Sequence, residues 1–203
     1  MQHSLLDIPS SQYAELIPLI NSLSSYDLFS EEKTHLKTAP LPFFKDYKLL
    51  SAQTFSTIPP VTMHYLWNRK DNDIIKMEGI RDSVFDNLHK LGLILDESTI
   101  VPYAKFVLDG IWTDKGNIRL VESLDEIEFS DSPSREDLKF LETTIRPATV
   151  SRSEEGYLID AIIIYGTEIY HSTIELRQDG IFDFQSETQL KAGMRCVRVI
   201  FLE

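Results

Sequence analysis

A chain of 203 residues with 42% hydrophobic and 26% charged residues is long enough to bury roughly two thirds to three quarters of its extended surface, and disorder over most of its length is excluded. A formal charge of −12 argues against sequence-independent nucleic-acid binding, which needs clustered Lys and Arg to displace counterions, and against an acidic membrane surface. A single cysteine, Cys196, excludes an internal disulfide; with an opening Met1-Gln2-His3-Ser4 that has no basic flank or apolar core, the expectation is a reducing, cytoplasmic compartment and no membrane span.

In chain order, Ser10 and Ser11 cap a helix whose positions Tyr13, Leu16, Ile17, Ile20 and Leu23 recur at helical spacing, and Pro18 predicts a kink or break within it. Residues 26–42 are polar and read as a short helix or a loop. Residues 43–57 favour an extended segment, Ile58-Pro59-Pro60 breaks it, and residues 61–67 resume as a strand. After the charged turn 68–72, residues 74–77 return as a hairpin partner ending at Gly79. Ile80, Val84, Phe85, Leu88 and Leu91 form the stripe of one continuous amphipathic helix, with Lys90 in its last turn and Gly92 as its left-handed stop.

Ser98 or Thr99 opens a second helix, with Pro102 in its first turn, Tyr103, Phe106 and Val107 on its buried side and Gly110 at its end; residues 106–112 also read as a strand. Residues 117–121 form a strand after the turn Asp114-Lys115-Gly116. The acidic stretch 123–135 reads as a mobile connection. Ser134 and Asp137 resemble a capping box for a third helix with Leu138, Leu141 and Ile145 on one face, closed by Arg146-Pro147. Residues 194–202 read as a final strand.

The organising stretch is 156–190, three antiparallel strands joined by two tight turns. Gly166 suits a two-residue type II′ loop, which sets Tyr157, Ile159, Ala161 and Ile163 opposite Leu176, Ile174, Ser172 and Tyr170. A three-residue loop, Gln178-Asp179-Gly180, with Gly180 left-handed, pairs Leu176 with Phe182 and Ile174 with Phe184; a two-residue loop would set Leu176 against Asp183. The fold class expected is α+β, an antiparallel sheet formed mainly by the C-terminal half and covered by about three helices, with helices near 80–91 and 102–109 on one face. Composition divides the chain into a mixed part, 1–122, and a sheet part, 123–203, while Leu158, Ile162 and Ile164 on the opposite face need cover from the N-terminal region or another subunit.

On that opposite face the flat register sets His171 against Glu187 and Glu175 against Asp183, with Asp160 diagonal to His171 and Glu175. One imidazole among carboxylates suits acid–base work or a divalent cation, yet a wetted sheet face carries the same residues and no spacing matches a metal motif, so neither metal nor cofactor is expected. Tyr157, Tyr170 and Ser172 are candidates to line a small-molecule pocket between sheet and helix. Residues 121–160 hold eleven Asp or Glu against four Lys or Arg, a local balance of −7, and Glu122, Asp125, Glu126 and Glu128 are candidates for docking a basic partner; a solvated acidic face is the plainer reading.

Cys196, between Arg195 and Arg198, is either a favoured thiolate or a small buried side chain. Tyr65 and Trp67, followed by Arg69 and Lys70, are either a nucleotide-stacking patch or core. There is no phosphate loop, no dinucleotide fingerprint, no nucleophile elbow and no paired-cysteine motif. The function expected is therefore non-catalytic, through protein–protein contact by the acidic segment or an exposed sheet face, the partner being another protein or a second copy of the chain. The alternative is a small-molecule-binding or hydrolytic domain in which His171 and Asp160 carry the chemistry, and mimicry of nucleic acid ranks third.

Overall fold

The computed structural model describes residues 5–194 and residue 196. The chain is α+β, with two antiparallel sheets, and its contacts divide it into two units, Gln2–Ile94 and Leu95–Glu203. Residues 122 and 123 both lie inside the second unit.

The first unit is a five-stranded sheet in sequence order: β1 (Leu6–Asp7), β2 (Thr34–Pro40), β3 (Lys48–Thr54), β4 (Val61–Asn68) and β5 (Asp73–Lys76). Helix α1 (Tyr13–Asn21) carries Leu16, Ile17 and Ile20 into a core with Ile8, Phe29, Leu36, Leu50, Tyr65 and Trp67. Tyr65 and Trp67 are thus core residues rather than a stacking patch. Pro18 does not break α1: it sits on the exposed side and its carbonyl still accepts from the Ser22 N–H at 3.0 Å. Asn21 ends the helix by holding Phe29 through two bonds, Nδ2 to the carbonyl (2.8 Å) and the N–H to Oδ1 (3.0 Å).

Two expectations for this unit are corrected. The polar stretch read as helix or loop contains β2, because Thr34 and Leu36 point inward while His35 and Lys37 face partly or wholly outward, a strand period hidden under polar composition. The continuous helix over 80–91 is three short pieces, α2 (Ile80–Ser83), a 3-10 turn (Phe85–Asn87) and α3 (Leu88–Leu91). Ser83 Oγ accepts from the Glu78 N–H and donates to the Lys76 carbonyl, and Asn87 Nδ2 donates to the carbonyls of Asp82 and Ser83. These side chains compete for the groups a longer helix would need. Gly92 still ends the last piece in the left-handed region, φ 63°.

The second unit opens with α4 (Ile100–Asp109), followed by β6 (Trp112–Thr113), β7 (Gly116–Val121), α5 (Arg135–Thr144), β8 (Thr149–Arg152), β9 (Gly156–Tyr165), β10 (Glu168–Arg177) and β11 (Phe182–Lys191). The sheet order is β11-β10-β9-β7-β6, with β8 pairing β9 along its other half. Ile174 faces both Ile159 and Phe184, as the two glycine turns require. Gly166 has φ 56°, and a Cβ there would lie 2.4 Å from the Lys115 carbonyl oxygen; Gly180 has φ 87°, and its N–H donates to the Arg177 carbonyl.

Helix α4 runs against β7, and the Tyr103 hydroxyl donates to the Gly180 carbonyl at 2.8 Å, tying the helix to the β10–β11 loop. Ser134 caps α5 by accepting from the Asp137 N–H. The face carrying Ile162 and Ile164 is covered from within this unit, by Leu141, Ile127, Met194 and Cys196 with Phe140 and Ile145 packed against them, so no outside cover is required there. Residues 123–135 are anchored rather than loose: they hold a 3-10 turn (Leu124–Glu126), a buried Ile127 and a bridge from Phe129 to Cys196. Of the final strand expected over 194–202, only Met194 and Cys196 lie among the described residues.

Candidate functional site

The site is made by one irregularity in the outermost strand. Between Phe184 and Ser186 the β10–β11 ladder slips, leaving Gln185 as an extra residue. The run Gln185-Ser186-Glu187-Thr188-Gln189 is polar throughout and carries little register information of its own. Past the slip, Glu187 stands opposite Ser172 and Thr188 opposite His171, so the expected His171–Glu187 pairing is replaced. Glu187 now shares a face with Tyr170, Tyr165 and Phe184.

On that face three half-buried rings converge. Tyr165 and Tyr170 meet edge to face, centroids 5.3 Å apart at 76°, and Phe184 is tilted 44° to Tyr165 at 6.5 Å. The strands beneath them carry small buried side chains, Ala161 opposite Ser172, which leave room for the rings to lean together. Both phenols are tethered to carboxylates: Tyr165 donates to Glu187 Oε1 (3.0 Å) and Tyr170 to Glu168 Oε2 (2.6 Å), while Lys115 Nζ holds the same Glu168 oxygen at 2.5 Å.

The electrostatics follow from these contacts. Burial first, then Glu187, pushes the Tyr165 hydroxyl well above the ordinary phenol range, and the Glu168 hydrogen bond raises the Tyr170 hydroxyl as well. Lys115 and Tyr170 hold the Glu168 carboxyl below its ordinary value. Both phenols stay protonated at neutral pH, and Glu168 is charge-compensated. Glu187 is exposed, and among the described residues no Lys or Arg pairs with it. The corner therefore presents aromatic faces beside one uncompensated carboxylate.

The residues singled out from sequence fall as follows. Asp160 and His171 do meet, Oδ2 to Nε2 at 2.7 Å, on the opposite face of the sheet, joined by Arg146, whose Nη2 lies 3.2 Å from Asp160 Oδ1 and 3.4 Å from His171 Nε2. Arg146 carried no signal beyond ending a helix. Glu175 lies opposite Asp183 as expected and accepts from Gln185 Nε2 at 2.9 Å, apart from the His171 pair. Ser172 and His171 are neighbours on one strand and so project to opposite faces. Tyr157 shares the face of Tyr170 and carries the Arg152 guanidinium over its ring at 5.1 Å. Ser172 is 1% exposed and its Oγ has no hydrogen-bond partner among the described residues.

Two of the four acidic-segment residues are spent internally. Lys105, buried on α4, binds Glu122 (2.9 Å) and both oxygens of Glu126 (2.7 and 2.9 Å), leaving Asp125 and Glu128 exposed. Cys196 is buried, and burial raises its thiol pKa, with Arg119 pulling the other way. Among the described residues no group of three or more His, Cys, Asp or Glu is placed to hold a metal ion, and no helix is long and apolar enough to cross a membrane. In the first unit, sequence reasoning missed a concavity of about 220 Å³ where the Tyr47 hydroxyl and Lys90 both bind Asp73.

No family model, no curated protein and no solved structure matches the chain. The reading of its function rests on the site alone.

Proposed function

We propose that this is a non-catalytic, cytoplasmic binding protein that receives a basic protein partner on the second unit's sheet. The observation that carries the reading is the corner of Tyr165, Tyr170 and Phe184 with Glu187 beside it, a carboxylate that no Lys or Arg among the described residues pairs with. Half-exposed aromatic rings next to a free carboxylate supply both the apolar area and the sign of charge that a basic segment needs. The overall charge of −12, with Asp125 and Glu128 exposed, adds a field that steers such a partner toward the surface. What supports a binding role over nucleophilic catalysis is that, among the described residues, Ser172 Oγ has no hydrogen-bond partner and His171 projects to the other face.

The test is affinity capture on immobilised lysine- and arginine-rich peptides across a salt gradient. Retention should fall as salt rises, and replacing Tyr165 with Leu together with Glu187→Gln should release the protein earlier than Asp125→Asn with Glu128→Gln does. Equal retention of all variants, or none at low salt, overturns the reading.

A further inference from the structure

Resting on that reading, we infer that the corner takes an arginine side chain of the partner, with the guanidinium laid on the aromatic faces and its N–H groups turned into Glu187. The first ground is the direction of the two tethers. A phenol donating to a carboxylate is polarised toward phenolate, so Tyr165 and Tyr170 present ring faces more negative than free tyrosine, and a cation over such a face is attracted by the ring quadrupole. The second is what remains unused. Glu187 has given Oε1 to the Tyr165 hydroxyl, which leaves Oε2 and further lone pairs without a donor among the described residues, whereas Glu168 is already matched by Lys115.

A flat, weakly hydrated cation with five N–H donors fits this set, because it can stack and reach a carboxylate edge-on at the same time. A lysine ammonium is a strongly hydrated point charge and would give up water for one carboxylate and no planar contact. A quaternary ammonium can use the rings but leaves the Glu187 oxygens without a donor.

The experiment titrates the full chain, labelled in its aromatic rings, with three otherwise identical glycine–serine peptides carrying one central arginine, lysine or trimethyl-lysine, followed by NMR. The arginine peptide should move the ring signals of Tyr165, Tyr170 and Phe184 and bind about ten-fold tighter than the lysine peptide. Glu187→Gln, at an exposed position, should remove most of that preference with the fold intact by circular dichroism, and Tyr165→Phe, which keeps the ring and drops the tether, should weaken it. If lysine and arginine bind equally, or trimethyl-lysine binds best, the arginine assignment fails while a basic partner still stands. If even a polybasic peptide leaves the three rings unmoved, the proposed function fails with it.

Discussion

Glu187 faces Ser172 across the β10–β11 ladder, one step away from the His171 that an unbroken register would give it, and this places its carboxylate 3.0 Å from the Tyr165 hydroxyl. The slip sets the face of Glu187: a ladder that kept Gln185 in register would put it opposite His171 on the other side. Deleting Gln185 removes the bulge and leaves Glu187 opposite Ser172, so the contact with Tyr165 should survive the deletion. Glu187→Gln takes the carboxylate from the Tyr165 hydroxyl, and the pKa of that hydroxyl should fall toward the ordinary tyrosine value, stopping short of it because burial, the larger cause, remains. An alkaline titration followed in the tyrosine ring signals reads the change; an unaltered Tyr165 titration in Glu187→Gln would contradict the assigned contact.

The register of β9 to β11 was legible in sequence because two glycines punctuate it and a one-residue error would have set Leu176 against Asp183. The slip at Gln185 was not, since a strand of uniformly polar residues looks the same in either register. Strand β8 and the role of Arg146 were hidden for a related reason: a short exposed strand and a residue that ends a helix carry no periodic signal. The helix over 80–91 failed because its apolar stripe is real, but Ser83 and Asn87 take backbone partners that the stripe says nothing about.

Among the described residues of the second unit Lys105 is the buried cation, its side chain 7% exposed between Glu122 and Glu126. Lys105→Met leaves two carboxylates facing each other without a cation and should cost about 2–4 kcal/mol in urea unfolding, a loss that Glu122→Gln with Glu126→Gln in the same chain should largely restore. Although burial opposes it, the two glutamates raise the Lys105 pKa. A raised folded value means that its contribution is complete below the unfolded lysine pKa and is lost as pH rises through the folded one, so the wild type should lose stability at alkaline pH more steeply than the triple variant.

Asp160 works at the other end of the pH scale. Burial pushes its carboxyl up, but hydrogen bonds and charge from His171 and Arg146 outweigh this and hold it below the ordinary value. A depressed folded pKa gives stability that is present above the unfolded value, about 4, and lost as pH falls through the folded one. Asp160→Asn should therefore flatten the acid limb of the urea-midpoint profile and leave the neutral region less stable than wild type; an acid limb as steep as before would show that the pairing does not act.

Gly166 and Gly193 both have positive φ, 56° and 73°, but only at Gly166 would a Cβ meet backbone, the Lys115 carbonyl oxygen at 2.4 Å; at Gly193 nothing lies within 4 Å. Gly193→Ala should cost about 1 kcal/mol, the strain of the left-handed backbone alone, and Gly166→Ala clearly more, about 2–4 kcal/mol, because the β9–β10 loop must also move away from the 114–116 turn. Thermal unfolding of the two variants side by side separates strain from collision. Equal losses would mean that the close approach to Lys115 does not exist.

The central claim is that a cationic side chain enters the corner of Tyr165, Tyr170 and Phe184, and the most direct measurement is an aromatic-ring NMR titration of the whole protein with an arginine-rich peptide. The three ring signals should shift together and saturate at one peptide concentration, while those of Tyr65 and Tyr103, both fully buried, stay in place. Binding that leaves the three rings still and moves signals elsewhere would contradict it.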